Sequence, residues 1–404
     1  MSSQGLSGLP GLRSAPSLRD RAAQARSERR GAIIRSIDWL LILSTLALCG
    51  LGSLLVYSAT KQSQIDHQLD PMAFFKRSLM NVAIGLVLGL VVAAVDYQYL
   101  RAYAPVLYVA SLVGLAAVLL IGSTINGARS WIVLPAGFQL QPSEFAKVAL
   151  VVGMAMILGE KRDDSRFGVT SAPRTRDVLL VLLVAALPLG LIMLQPDFGT
   201  TMVFVFVILG VIACSGAPVR WVVGMITAGV LAGWAVLGMH LLKPYQEARL
   251  TQFASSNTAN AGSTGYNVDQ AMTANAHGGI FGRGLFSGSQ TQGQFVPENK
   301  TDFVFTVAGE ELGFIGACGI LVLLTIILWR ALSIARASED TFGLLVAVGI
   351  AVWFSFQAFI NVGMTLGIMP VTGLPLPFVS YGGSAMFANL IAIGLLQNVY
   401  RRSR

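Results

Sequence analysis

Charged side chains are scarce in this 404-residue chain: Asp, Glu, Lys and Arg make up 12% of it, against roughly 25% in an ordinary soluble domain. That shortfall excludes a water-soluble surface of usual composition. Histidine and cysteine are as rare, three of each. His67, His240 and His277 are isolated, and Cys49, Cys214 and Cys318 lie in or at the end of apolar stretches without metal-ligand spacing, so the cysteines read as small core residues. A nucleotide-binding loop, a zinc signature and a Ser-His-Asp order are also missing, which removes the chemistries those patterns carry.

Apolar residues fill the space, at 54% of the chain. They recur as long stretches at Trp39–Tyr57, Leu79–Ala94, Ala104–Gly122, Phe145–Gly159, Val178–Leu194, Thr200–Cys214, Trp221–Met239, Leu312–Trp329, Phe342–Val362 and Met386–Val399. With short flanks each approaches the ~20 residues that cross ~30 Å of hydrocarbon. The expected fold is an all-α integral membrane protein with about ten spans. Placing the amino terminus inside puts 19 of the 28 Lys and Arg on the cytoplasmic side, with Lys147 inside a span. The positive-inside rule therefore predicts both termini in the cytoplasm. The net charge of +8 lies in cytoplasmic loops and an Arg-rich stretch before residue 36, where anionic lipid headgroups, not nucleic acid, are the expected partner. Residues 1–35, rich in Ser, Gly and Arg, read as a disordered leader to a membrane domain over 36–404.

One connection is far longer than the rest. Residues 241–302 form an outer loop between the seventh and eighth spans, rich in Gly, Asn, Gln, Ser and Thr, and a loop of that length is a functional candidate. Ala254–Thr264 reads as a spacer, whereas "GGIFGRGLFSGSQTQGQFVPENKTDF" reads as a chain packed down on something. Two helix starts, "LQPSEFAK" and "LQPDFGTT", place Gln-Pro before an expected cap, Ser143 or Asp197. An anion at the second of these amino termini is the alternative to mere capping. Gly363–Gly383 is apolar but interrupted by Pro370, Pro375, Pro377 and five glycines. Irregular backbone at membrane depth is tolerated only where it is buried in protein or lines a wet cavity, so this stretch reads as a kinked, outward-facing entrance.

The candidate chemistry lies at the outer rim. Asp302, Glu310 and Glu311 head the eighth span. If its helix begins at a capping Thr301, Asp302 sits about 12 Å above Glu310. Glu144 and Lys147 share a helix face, either as a self-neutralising pair or with Lys147 tuning a carboxylate or meeting a phosphate. Asp302 is the first choice for a general base, while Glu310 and Glu311 read as structural. Trp131 is a possible interfacial anchor. Together these residues suggest a site for a lipid-carried anion with a polar head.

The motifs "NGARSWI", "QPSEFAK", "QPDFGT", "PENKTDFVFTVAGEELG" and "GIMPVTGLPLPFVSYGGS", in that order, resemble the SEDS (shape, elongation, division and sporulation) family, more its rod-shape (RodA) branch than its division (FtsW) branch. The resemblance runs from about Asp38 to Tyr400 and implies a glycosyltransferase of the bacterial cytoplasmic membrane that polymerises lipid II on the outer face. It implies that Asp302 is the essential aspartate, Trp131 the loop tryptophan, Glu144 and Lys147 the helix-four pair and Asp197 the "QPD" acid. It further implies a class B penicillin-binding protein as partner and dependence on a divalent cation, Mg or Mn. Glu298 and Asp302 are spaced to hold such an ion, although its ligands are not identified by the resemblance. Two departures are Lys300, where many relatives carry His, and Ser130, which separates Arg129 from the tryptophan. The competing function is a lipid II flippase, which suits a polytopic fold with intramembrane charge. A non-catalytic scaffold for the transpeptidase is the third.

Overall fold

The computed structural model describes residues 37–95, 97–125, 128–133, 139–163, 172–238 and 264–403. The expected leader, and the spacer up to residue 263, lie outside the described residues. The chain runs through α1 (Trp39–Asp66), α2 (Ala73–Ala94), α3 (Tyr97–Ala102) and α4 (Ala104–Ile121) into three short strands, β1 (Ser123–Ile125), β2 (Ala128–Val133) and β3 (Gln139–Leu140), paired antiparallel in that order. It continues through α5 (Pro142–Asp163), α6 (Thr175–Leu194), α7 (Phe198–Cys214) and α8 (Val219–Gly238). After the long connection come α9 (Thr264–Gly278), α10 (Ser289–Gln292), α11 (Val304–Glu311), α12 (Gly313–Ala337), α13 (Thr341–Thr365) and α14 (Gly383–Arg402). The fold is therefore mostly helical rather than purely so. The small sheet occupies the connection between α4 and α5 that carries Trp131.

Over their described residues the ten predicted apolar stretches fall in helices, apart from Gly122 and Leu312 at helix ends, and seven of the helices among the described residues are long and apolar enough to cross a membrane: α1, α2, α4, α5, α6, α12 and α13. α7 and most of α8 are shorter apolar helices. α14 reads as less apolar because it carries buried Asn389, Gln397 and Asn398. Asn398 explains one of these: its amide donates to the carbonyls of Val92 and Val95 at 2.8 and 2.7 Å, closing the end of α2. α5 and α13 form the centre of the bundle, with 78% and 72% of their most apolar windows buried, whereas α2 and α4 bury 22% and turn the remainder outward. Near the first span's start, Asp38 caps α1 through the Leu41 N–H and takes Arg330 of α12 at 2.6 Å. The cysteine reading holds for Cys49, which is buried; Cys214 is exposed and Cys318 half-buried.

The eighth apolar stretch does not form the single helix expected to reach back to Thr301. Residues 297–303 wind through turns, Phe303 occupies the amino-terminal cap position of α11, and the helix breaks at Leu312 before α12 begins. Gly313 makes the break possible, since it is left-handed at φ +68 and a Cβ there would lie 2.6 Å from the Ile280 carbonyl. The glycine-rich run between α9 and α10 fills the gap. Arg283 and Gly284 donate their N–H groups to the carbonyls of Glu310 and Glu311, both at 3.0 Å, and Phe314 N–H donates to Gly279 at 2.9 Å. The carbonyls left over at the end of α11 are thus satisfied by a chain segment and not by the next helical turn. Depth arithmetic along one straight helix no longer applies to Asp302.

Candidate active site

Asp302 stands on the turn before α11. The carbonyl of Glu298, a residue held at φ +54, accepts the N–H groups of Thr301, Asp302 and Phe303 at 3.1, 3.1 and 3.2 Å. This wraps the chain tightly around the acid and leaves Asp302 half-buried. The Glu298 carboxylate takes the Thr301 hydroxyl at 3.0 Å, so it serves the same turn. Opposite the acid lies Gly373, at φ +74, where a Cβ would come within 3.5 Å of the Asp302 Oδ2. Any side chain on that residue would narrow the approach to the carboxylate.

Gly373 belongs to the proline-broken stretch, which is unwound from Leu366 to Gly382 and largely buried. Prolines 370, 375 and 377 remove N–H donors and cannot continue a helix, so carbonyls here need partners from elsewhere. α13 supplies two of them. Asn361 donates to the Leu374 carbonyl at 2.7 Å and to the Asp302 carbonyl at 2.8 Å, and Gln357 donates to the Pro375 carbonyl at 2.7 Å. These residues were not singled out from the sequence. The available signal was a polar stripe, Gln357, Asn361 and Thr365 at four-residue spacing, on an otherwise apolar helix.

The same stretch reaches the other predicted residues. Lys147 and Glu144, 1% and 2% exposed, form an internal ion pair at 2.8 Å. The Lys147 Nζ lies 2.8 Å from each carboxylate oxygen, but only Oε1 receives a well-aligned hydrogen bond. The ammonium also donates to Gln357 Oε1 at 3.2 Å and stands 4.7 Å from the Trp353 ring. Its charge therefore sits behind the wall that Pro375 forms, and direct contact between Lys147 and a phosphate is not what this arrangement offers.

Asp197 caps α7, accepting the Thr200 N–H at 3.0 Å, the Thr200 hydroxyl at 2.8 Å and the Gln141 amide at 3.2 Å. Two residues on, a Cβ on Gly199 would meet the Thr372 carbonyl at 2.8 Å, so this cap also abuts the unwound stretch. Ser143 is not its counterpart. α5 begins at Pro142, which places Ser143 inside the first turn with its hydroxyl buried and unpaired. Trp131 is half-buried on β2 opposite Ser123, and Arg129 closes the end of α4 through the carbonyls of Gly122 and Leu120 at 2.8 and 2.9 Å. The sheet joins the site through Ser384, which donates to Gln139 at 3.1 Å and accepts from the Gln141 N–H at 2.9 Å.

Glu310 and Glu311 are buried struts, in line with the structural expectation. Glu310 accepts the N–H groups of Gln290 and Thr291 at 2.8 Å each and the Thr291 hydroxyl at 2.7 Å. It is a cap supplied in trans, because those donors are the orphans at the start of α10. Glu311 accepts the Ser58 hydroxyl at 2.5 Å. Burial pushes its carboxyl above the ordinary range, more than hydrogen bonds from Ser58, Phe286 and Gln292 pull it down, and Glu310 adds to the rise. A folded-state pKa raised above the unfolded value gives a contribution that is complete below the unfolded value and lost as pH rises through the folded one. Glu311→Gln should therefore melt with the wild type in acid and above it in alkali. Parallel melting curves across pH would reject this.

A divalent ion finds no ready protein cage: among the described residues no three His, Cys, Asp or Glu side chains gather. Asp302 and Glu298 are the two acids of the turn, and Glu298 already serves Thr301.

Comparison with known proteins agrees with this architecture. A family model for the FtsW, RodA and SpoVE cell cycle proteins matches residues 38–404. The probable peptidoglycan glycosyltransferase FtsW of Trichlorobacter lovleyi is 37% identical over 364 residues, covering 90% of this chain and 92% of that protein. Stage V sporulation protein E of Bacillus subtilis is 38% identical over 372 residues, covering 91% and 98%. Among solved structures, a chain of a peptidoglycan synthase complex that coordinates polymerization and crosslinking is similar at a TM-score of 0.75 and 33% identity, covering 91% of this chain and 98% of that one. The rod shape determining protein RodA of Thermus thermophilus is similar at 0.65 and 30%, covering 90% and 97%. Division, sporulation and rod-shape members all lie within this range, so the expected leaning toward RodA is not separated from FtsW. A family model that matches residues 38–404, with relatives similar over most of the chain in sequence and in shape, means that this chain belongs to the FtsW/RodA/SpoVE family, the SEDS peptidoglycan glycosyltransferases.

Proposed function

We propose that this chain polymerises lipid II at the outer face of the bacterial cytoplasmic membrane, with Asp302 as general base. One observation carries the reading: a half-buried carboxylate faces unwound, proline-broken backbone at Gly373. Irregular backbone at membrane depth is tolerated where it is buried in protein or lines a water-filled cavity, and a substrate groove is one such cavity. The Asp302 carboxylate takes the proton of the 4-hydroxyl on the acceptor's N-acetylglucosamine. The oxygen attacks the anomeric carbon of the donor's N-acetylmuramic acid. The bond from that carbon to the pyrophosphate breaks, and undecaprenyl pyrophosphate leaves with the electron pair. Asp302 then returns its proton to solvent. Lys147 contributes a fixed positive field from behind the Pro375 wall, offsetting charge that grows on the leaving group.

In the cell the product strand passes to a class B penicillin-binding protein for crosslinking, a partner supported by the likeness to a chain of a synthase complex. Both termini lie in the cytoplasm, as the Lys and Arg distribution supports. Elongation is the role that the RodA resemblance favours, and division is equally supported by the FtsW relatives. Depletion separates them: cells round up if the chain serves elongation and filament if it serves division. The biochemical test is polymerisation by the purified protein in detergent, where there are no two sides to flip between. Glycan ladders from lipid II are expected, and their absence with the cognate transpeptidase present would leave the flippase reading standing.

A further inference from the structure

Asn361 is where α13 meets both halves of the site. Its amide nitrogen donates to the Asp302 carbonyl at 2.8 Å and to the Leu374 carbonyl at 2.7 Å, and the residue is 0% exposed. Its Oδ1 is buried without a hydrogen bond. Leaving such an oxygen unpaired carries its full desolvation penalty, and a leucine of similar size would avoid that cost. The amide's two donors are therefore what the position retains. They span one carbonyl on the turn that carries the acid and one on the wall that faces it. Gly373, immediately before Leu374, stands beside the Asp302 carboxylate. One turn back on α13, Gln357 holds the next carbonyl, that of Pro375. Three prolines leave most of this stretch without helical hydrogen bonds. The Tyr381 N–H ties its far end to the Lys300 carbonyl at 2.9 Å, and Asn361 is the side chain that reaches both the Asp302 carbonyl and the Leu374 carbonyl.

We infer that Asn361 is a positioning residue for polymerisation: it clasps the Asp302 turn to the Gly373–Leu374 wall and so fixes the position from which the carboxylate meets the acceptor sugar. The clasp rests on the reading of Asp302 as base. Misplacing a reacting group by about an ångström lowers turnover by up to roughly a hundredfold while binding surfaces stay in place. Packing alone would show itself in stability instead.

The experiment compares wild type, Asn361→Ala, Asn361→Gln and Asp302→Asn as full-length proteins in detergent, with lipid II as substrate, recording melting temperature, kcat and KM. Asn361→Ala should lose about tenfold to a hundredfold in kcat, with KM within about threefold of wild type. Asn361→Gln keeps the donors on a stem one methylene longer and should recover part of that loss. If Asn361→Ala does not fold, Asn361→Gln decides alone: a kcat deficit at unchanged KM sustains the clasp. Unchanged kcat, or a loss confined to KM or melting temperature, overturns it. Asp302→Asn separates the two ideas. Wild-type turnover there removes the base, whereas a silent Asn361→Ala beside an inactive Asp302→Asn removes only the clasp.

Discussion

Asp302→Asn abolishes glycan chains while the protein stays folded. The substitution is nearly isosteric. Two contacts of this turn run through Asp302 backbone atoms, its N–H donating to Glu298 at 3.1 Å and its carbonyl accepting from Asn361 at 2.8 Å, and both survive the change. What disappears is the group able to take a proton. General-base catalysis typically contributes about 10²- to 10⁴-fold, enough to remove visible polymer from a gel-based assay. The measurement pairs that assay with thermal unfolding in the same detergent. Equal melting with no ladder is the expected pair of results, and a variant that polymerises at the wild-type rate would remove Asp302 from the mechanism. A scaffold for the transpeptidase would likewise be indifferent to this change.

Lys147→Met destabilises the bundle more than any other single change at this site. The ammonium lies between the Glu144 carboxylate, Gln357 and the Trp353 ring, with both charges almost fully buried. Removing one partner of a buried ion pair strands the other in a medium that cannot solvate it, typically at about 3–5 kcal/mol. Replacing both partners by apolar groups of similar volume is often close to neutral. The melting temperature of Lys147→Met should therefore fall well below wild type, and the double variant Glu144→Leu with Lys147→Met should regain most of it. Polymerisation by the double variant reports the field alone: it stays low if the positive charge behind Pro375 assists the leaving group. A single variant that melts like wild type would mean that the pair is not ionised in the folded protein.

Much of the architecture was legible before the structure, for reasons tied to particular stretches. Runs such as Val178–Leu194 are too apolar for water and long enough for a bilayer, so they had to become helices, and over their described residues all ten did. Glu144 and Lys147 are three apart, which places them on one helix face whatever surrounds them. Asp197 caps a helix because a Pro-Asp pair before an apolar run has few other uses. The failures are equally specific. Nothing local in "EELGFIG" shows that Gly313 is left-handed, because glycine adopts either hand and the choice is made by Gly279 to Gly284 lying against it. Ser143 has the residue type of a cap, but Pro142 is the residue that opens α5. The trans cap from Glu310 to α10 and the amides of Gln357 and Asn361 join segments far apart in the chain.

Composition, span length and charge placement by themselves settled that this is a multi-pass membrane chain and which acids deserve suspicion, because burial of apolar surface and the spacing along a helix are local properties. Only the tertiary structure decided what those acids do: Glu310 and Glu311 are consumed as struts, Lys147 is sealed behind a wall, and Asp302 is left facing unwound backbone. The physical reason is that backbone without its own helical hydrogen bonds must borrow partners from distant segments, and which partners it borrows is a fact of packing that no stretch of sequence carries alone.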